Sequence, residues 1–240
     1  MAGNSTTDLD LDQQRTLGQI LGTAGRLYGR QAPLLLVLAG IVVVPYEVVV
    51  VLLEKGKGGI AAGDELLLAL VGLALIYPCI AATQVQVLLD VRGGKQPRLG
   101  SVIRRGVAAL PVVAAADIIA GIGIFVGIIF FLIPGLLLAV RWAVVAPTAA
   151  VERTDWPTAL RRSGQLTRRN RWRVFGLLVV IFSLSDAVAL VAGTGGQIGL
   201  KVVAVALSVI VDSFGVLLLN ILYFDLRARE AGSVQARPVA

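Results

Sequence analysis

Six long apolar runs constrain this chain more than any other feature of its sequence. A helix crossing a ~30 Å hydrocarbon core needs about 20 mainly apolar residues. Runs of that kind occupy residues 33–53, 65–89, 102–124, 125–150, 172–192 and 199–226. They are too long and too continuous for outer-membrane strands, which alternate over about ten residues. The expected fold is therefore an all-α polytopic membrane protein with about six transmembrane helices. A single helical domain should cover 15–230, with disordered tails at 1–14 and 231–240. The boundary between the third and fourth runs is poorly marked. The stretch 121–134 has no charge, and it fits either a turn between two crossings or a re-entrant segment.

Composition then removes several functional classes. The chain is 57% hydrophobic and 15% charged, against about 45–50% and about 25% in soluble domains. Its 240 residues leave no room for a membrane domain of this size plus a separate soluble catalytic domain. It has no histidine and one cysteine, Cys79. The commonest general base and the commonest metal ligand are thus missing, and no intrachain disulfide can form. No cofactor and no metal are expected. The polar first dozen residues carry Asp8, Asp10 and Asp12, unlike the basic start and apolar core of a secretory signal.

The basic residues give an orientation. Three precede the first run (Arg15, Arg26, Arg30) and five lie between the second and third (Arg92, Lys95, Arg98, Arg104, Arg105). Seven lie between the fourth and fifth (Arg153, Arg161, Arg162, Arg168, Arg169, Arg171, Arg173), and Arg227, Arg229 and Arg237 follow the sixth. That places 18 of the 22 on one side and only Lys55, Lys57 and Lys201 on the other, with Arg141 inside a run. Lys and Arg are retained on the cytoplasmic side, so both termini are expected there, in a bacterial inner (plasma) membrane. The net charge of +7 reads as topology signal and headgroup contact rather than nucleic-acid binding.

Each odd-numbered run is preceded by a short basic amphipathic stretch, at 16–30, 98–105 and 158–169. In the third, Trp156, Ala159, Leu160, Ser163, Gly164 and Thr167 share one helical face, while Arg161, Arg162, Arg168 and Arg169 share the other. Asp155 before Trp156-Pro157 is a good helix start. Such a helix is expected to lie along the inner membrane surface. Each even run ends on an acid followed by a base: Asp90-Val91-Arg92, Glu152-Arg153 and Asp225-Leu226-Arg227. Three repeats of surface helix plus membrane hairpin would give this layout, although the spacings between copies differ.

The run Ile133-Pro134-Gly135 leads through Arg141-Trp142 and Ala146-Pro147 to Val151-Glu152. It continues as Ala159-Leu160-Arg161-Arg162-Ser163-Gly164-Gln165-Leu166-Thr167 and Arg171-Trp172-Arg173-Val174-Phe175-Gly176. This pattern, with the closing Tyr223-Phe224-Asp225-Leu226-Arg227, resembles a family of bacterial integral membrane proteins of unknown function. That family is related to the membrane domain of glycerophosphoryl diester phosphodiesterases. The first hundred residues match it only in layout. In one branch of the family the membrane unit is fused to a soluble phosphodiesterase barrel that carries the catalysis through His and acidic residues. This chain has no histidine, so the resemblance implies a membrane unit and carries over no catalytic residue.

Glu47, Asp117, Arg141, Asp186 and Asp212 fall within the apolar runs. Charged groups at the bilayer centre cost at least ~2.5–3.5 kcal/mol on insertion scales and usually face protein or water. Counting from the span ends puts Arg141 near mid-depth. Two readings fit: a polar pocket or ion path with Arg141 as an anion anchor, or internal pairs that fix helix packing. The glycines of Gly121-Ile122-Gly123-Ile124-Phe125-Val126-Gly127, and Gly18, Gly22, Gly25 and Gly29, permit close helix approach. The sequence thus favours a non-enzymatic membrane protein that engages anionic lipid, or a membrane protein partner, through basic cytoplasmic surface helices. The contact residues expected are Arg161, Arg162, Arg168, Arg169, Arg171, Trp172 and Arg173. The alternative is a small transporter or permease-like subunit with a polar intramembrane pocket around Arg141, Asp117, Asp186 and Asp212. A membrane-embedded lipid enzyme ranks third, because no paired catalytic constellation is visible.

Overall fold

The computed structural model describes residues 13–57, 62–193 and 198–235. Among these the chain is helical, without strands. The elements are α1 (Leu17–Lys57), α2 (Ala62–Val71), a π-helical turn (Gly72–Ile76), α3 (Tyr77–Arg92), α4 (Leu99–Phe130), α5 (Leu132–Trp142), α6 (Val145–Glu152), α7 (Trp156–Thr167), α8 (Arg171–Gly193) and α9 (Ile198–Gln235). Six stretches are long and apolar enough to cross a membrane: Leu17–Leu53, Ala74–Arg92, Leu99–Phe130, Leu132–Glu152, Arg171–Leu190 and Gly199–Gly232. The all-α polytopic fold is as the sequence predicts.

Local chemistry explains the breaks. Pro78 cannot donate to the carbonyl four residues back, and the widened π turn falls immediately before α3 and Pro78. Pro33, Pro45 and Pro111 sit inside continuous helices, as membrane helices tolerate when neighbours satisfy the freed groups. The third span runs six residues past 124, and the fourth begins at Leu132 rather than 125. Pro134 decides this. It is at home in the first turn of α5, where its missing N–H needs no partner, but a continuous helix would set its ring against the Phe130 carbonyl. The chain therefore breaks at Phe131, which is extended.

The basic stretches differ from one another. Those at 16–30 and 98–105 run directly into the membrane helices as the first turns of α1 and α4, with no intervening turn. Only the third is a separate helix, α7, which ends before a turn through Asn170. At the C-terminus α9 continues to Gln235, past the end expected at 226. Residues 1–12 and 236–240 of the expected tails lie outside the described residues, as do 58–61 and 194–197 of the expected outer turns.

The core sits where α1, α3, α8 and α9 meet. Leu27, Leu177, Leu218 and Phe224 are buried there with Val140 of α5 and Leu166 of α7. A second core between α3, α4, α6 and α7 is built from small side chains, Ala82, Ala116, Ala149 and Ala159 among them. Those small residues let α6 sit close to its neighbours without a hydrophobic drive, which lipid does not supply. Large apolar side chains face outward instead. Ile129, Phe130, Phe131, Leu132 and Ile133 at the α4–α5 tip are all more than 60% exposed, as a lipid-facing surface requires.

Candidate functional site

One end of the bundle gathers the charged residues, and each span-ending acid organises part of it. Asp90 pairs with Arg105 through both guanidinium nitrogens. Glu152 accepts from the Tyr223 hydroxyl at 3.0 Å and from Arg162 at 3.3 Å. Arg162 also grips Glu230 with bonds of 2.7 and 2.5 Å. Asp225 is fully buried. It accepts the Arg15 amide at 2.6 Å and Arg229 Nε at 3.0 Å, and Arg173 lies 3.6 Å away. In each motif the acid turns inward while the following base, Arg92, Arg153 or Arg227, is exposed. The rule gives the three motifs one role: the acid locks a basic stretch to the bundle and the base faces out.

These pairings divide the seven expected contact residues. Arg162 is an internal tie. Its hydrogen bond to Glu230, with the Glu230 and Glu152 charges, pushes its guanidinium above the usual arginine range. Arg173 also points inward, with its side chain 17% exposed beside Asp225. Arg161, Arg168, Arg169 and Arg171 are exposed, and Trp172 is 85% exposed. Trp156, on the helical face it shares with Ala159 and Ser163, is 43% exposed. Trp156 thus opens α7 and Trp172 stands in the first turn of α8, with the four outward arginines between them in sequence. Beside Trp172 a shallow hollow of about 460 Å³ opens between the start of α1 and the α7–α8 corner, lined by Thr16, Leu17, Arg169, Arg171 and Trp172 among others.

Much of the apolar face of α7 packs on the protein. Ala159, Ser163, Leu166 and Thr167 are buried against the protein itself. Ser163 and Thr167 both donate hydroxyls to the Arg141 carbonyl, at 3.0 and 3.1 Å. The Arg141 side chain lies across Gly164, where a Cβ would come within 2.8 Å of its Nε. This also moves Arg141 away from the intramembrane acids. The chain turns between α5 and α6 at residues 143–144, so the fourth span is not one straight helix. Its side chain is exposed against α7 instead.

A second feature lies deeper. A cavity of about 320 Å³ is lined by Asp117 of α4, Trp142 of α5, Ser185 of α8, and Asp212 and Asn220 of α9. It joins a hollow of about 420 Å³ that holds Glu47, Lys201 and Ser208, because Tyr77, Ser185, Val211 and Asp212 line both. The structure thus brings Asp117 and Asp212 together and leaves out Asp186, which is exposed on α8. Asn220, Tyr77 and Gln84 were not singled out in the sequence. Gln84 locks α3 to α9 by donating to Ser213 Oγ at 2.8 Å. The available signal was an amide inside an otherwise apolar run, as in Leu219-Asn220-Ile221.

Part of this charged end, α7 and its arginines included, lies in a segment that matches a known family. Residues 116–228 match the family described as the membrane domain of glycerophosphoryl diester phosphodiesterase. The match bears out the relation drawn from 133–176 and the last span, and it begins at the α4 turn carrying Asp117. It takes in α5 to α8 and most of α9, so the arginine-rich corner and the walls of the cavity on those helices lie within the matched segment. No curated protein and no solved structure matches the chain.

Proposed function

We propose that this is a non-enzymatic integral membrane protein of the bacterial plasma membrane that holds anionic lipid headgroups at its basic, cytoplasmic end. The observation that carries the reading is Trp172, 85% exposed, which lines a hollow together with Arg169 and Arg171 and follows the exposed Arg168, Arg169 and Arg171 in sequence. Tryptophan settles at the headgroup level. Guanidinium groups pair with phosphate in a planar, bidentate fashion. Among the described residues, Arg161, Arg168, Arg169 and Arg171 pair with no acid, whereas Arg162 and Arg173 face carboxylates. The acids thus hold α7 in place, and the remaining arginines present a phosphate-binding rim. A membrane protein with acidic juxtamembrane residues is the other partner this rim suits.

Native mass spectrometry of the protein released from mixed anionic and zwitterionic lipid tests this. The variant changes Arg161, Arg168, Arg169 and Arg171 to Gln and keeps Arg162. Retained anionic lipid should be lost in the variant and kept in an Arg162→Gln control. Equal retention in all three would reduce the exposed arginines to topology signals.

A further inference from the structure

We infer that the cavity between α3, α4, α5, α8 and α9 is a binding site for a lipophilic organic cation, an ammonium group on an apolar body. Asn220 is fully buried, yet neither its amide nitrogen nor its amide oxygen has a hydrogen-bond partner. A buried polar group left unpaired costs about 1–3 kcal/mol, so a side chain with both ends idle in a cavity wall is shaped for something else. Asp117 and Asp212 line the same cavity, and among its described lining residues none is basic. Two carboxyls and an amide oxygen offer acceptors and negative charge to an ammonium, and no basic side chain in this lining offers a counter-charge to an anion.

The rest of the wall decides between a bare ion and an amphiphile. Ala81, Ile124, Leu178, Val216 and Leu219 are apolar, and a metal ion would leave them without contact. The volume of about 320 Å³ is at the lower end of the range for small-molecule sites. Along α9, Asn220 and Asp212 stand about 7 and about 20 Å from Asp225 at the basic end, at 1.5 Å per residue. The polar groups thus sit within the hydrocarbon depth, where only a ligand that partitions into lipid reaches them. Phe182, 57% exposed, forms part of the wall and offers an approach from the bilayer. This site is separate from the headgroup rim.

Trp142 lines the cavity, and the other two tryptophans, Trp156 and Trp172, are exposed at the surface. A Trp156→Phe/Trp172→Phe protein in zwitterionic nanodiscs therefore reports on this site alone. Octylammonium should change Trp142 emission saturably, and octanol, its neutral counterpart, should not. Asp212→Asn and Asp117→Asn should each weaken octylammonium at least tenfold, and Asn220→Leu should weaken it as well. A saturable response of equal strength to octanol, or none to octylammonium, overturns the proposal even if a substituted protein fails to fold. Folded aspartate variants with unchanged affinity overturn it too.

Discussion

At the scale of single residues, the acid at each span end matters more than the bases around it. Asp225 is the clearest case: fully buried, it holds the Arg15 amide and Arg229, and it faces Arg173. Arg173 Nε and Nη2 are buried with no hydrogen-bond partner, so Asp225 is the charge that compensates them. Removing one partner of a buried pair costs about 3–5 kcal/mol, because the other charge stays buried. Asp225→Ala should therefore lower the unfolding free energy in detergent by roughly that amount. Arg227→Gln, at an exposed neighbour, should change it by less than about 0.5 kcal/mol. Matching denaturation midpoints for the two variants would show that the cluster does not hold this end together. The acid-then-base motifs were legible in the sequence, as was their position. Their pairing was legible only for Arg229, four residues on along the same helix, because Asp225 takes its other partners from residues 15 and 173, and one-dimensional spacing carries no trace of such distant contacts.

At the scale of elements, the α4–α5 hairpin turns on two glycines. Gly127 and Gly135 face each other so closely that a Cβ on Gly127 would lie 2.9 Å from the Gly135 Cα. A Cβ on Gly135 would lie 2.5 Å from the Ile128 backbone nitrogen. Backbone cannot move aside as a flexible side chain can, so Gly127→Ala and Gly135→Ala should each cost about 1–3 kcal/mol by overpacking. Gly22 and Gly25 of α1 meet nothing within 4 Å. Alanine there should be neutral or stabilising by up to about 1 kcal/mol, through helix propensity. Unfolding of the four variants side by side checks the contrast, and a loss at Gly25→Ala as large as at Gly135→Ala would contradict it. The sequence marked both glycine sets as sites of close approach, and only 123–127 makes one. Glycine spacing shows where a backbone is bare, but not whether another element arrives. The same limit applies to the basic stretches. Their charge pattern repeats, yet only α7 is followed by a turn, through Asn170, while α1 runs on through Pro33.

At the scale of the whole molecule, charge and apolar surface are segregated. Arg15, Asp225 and Arg229 are bonded to one another, Arg162 joins Glu152 to Glu230, and Arg92 stands 5.5 Å over the Phe224 ring. These contacts draw the start of α1, the ends of α3, α6 and α9, and α7 into one end. The apolar α4–α5 tip lies away from it, beyond the length of α4. Six apolar runs and an 18-to-3 split of bases were enough to predict that polarity, because span length and charge bias act on the whole chain rather than on particular contacts. The cavity was legible only in part: buried acids announce themselves in an apolar run, but which of them share a space depends on the turn at 143–144. The orientation that follows is directly measurable. In a Cys79→Ser background, single cysteines at Arg98, Arg168 and Arg227 occupy exposed positions at the basic end. Those at Gly63 and Gly199 occupy exposed positions at the starts of α2 and α9. A membrane-impermeant maleimide should label Gly63→Cys and Gly199→Cys in intact cells. It should label Arg98→Cys, Arg168→Cys and Arg227→Cys only in inverted vesicles. Labelling of Arg168→Cys from outside would put α7 on the wrong face for the anionic inner leaflet. The headgroup reading would then fail, while the cavity, which needs only the bilayer, would stand.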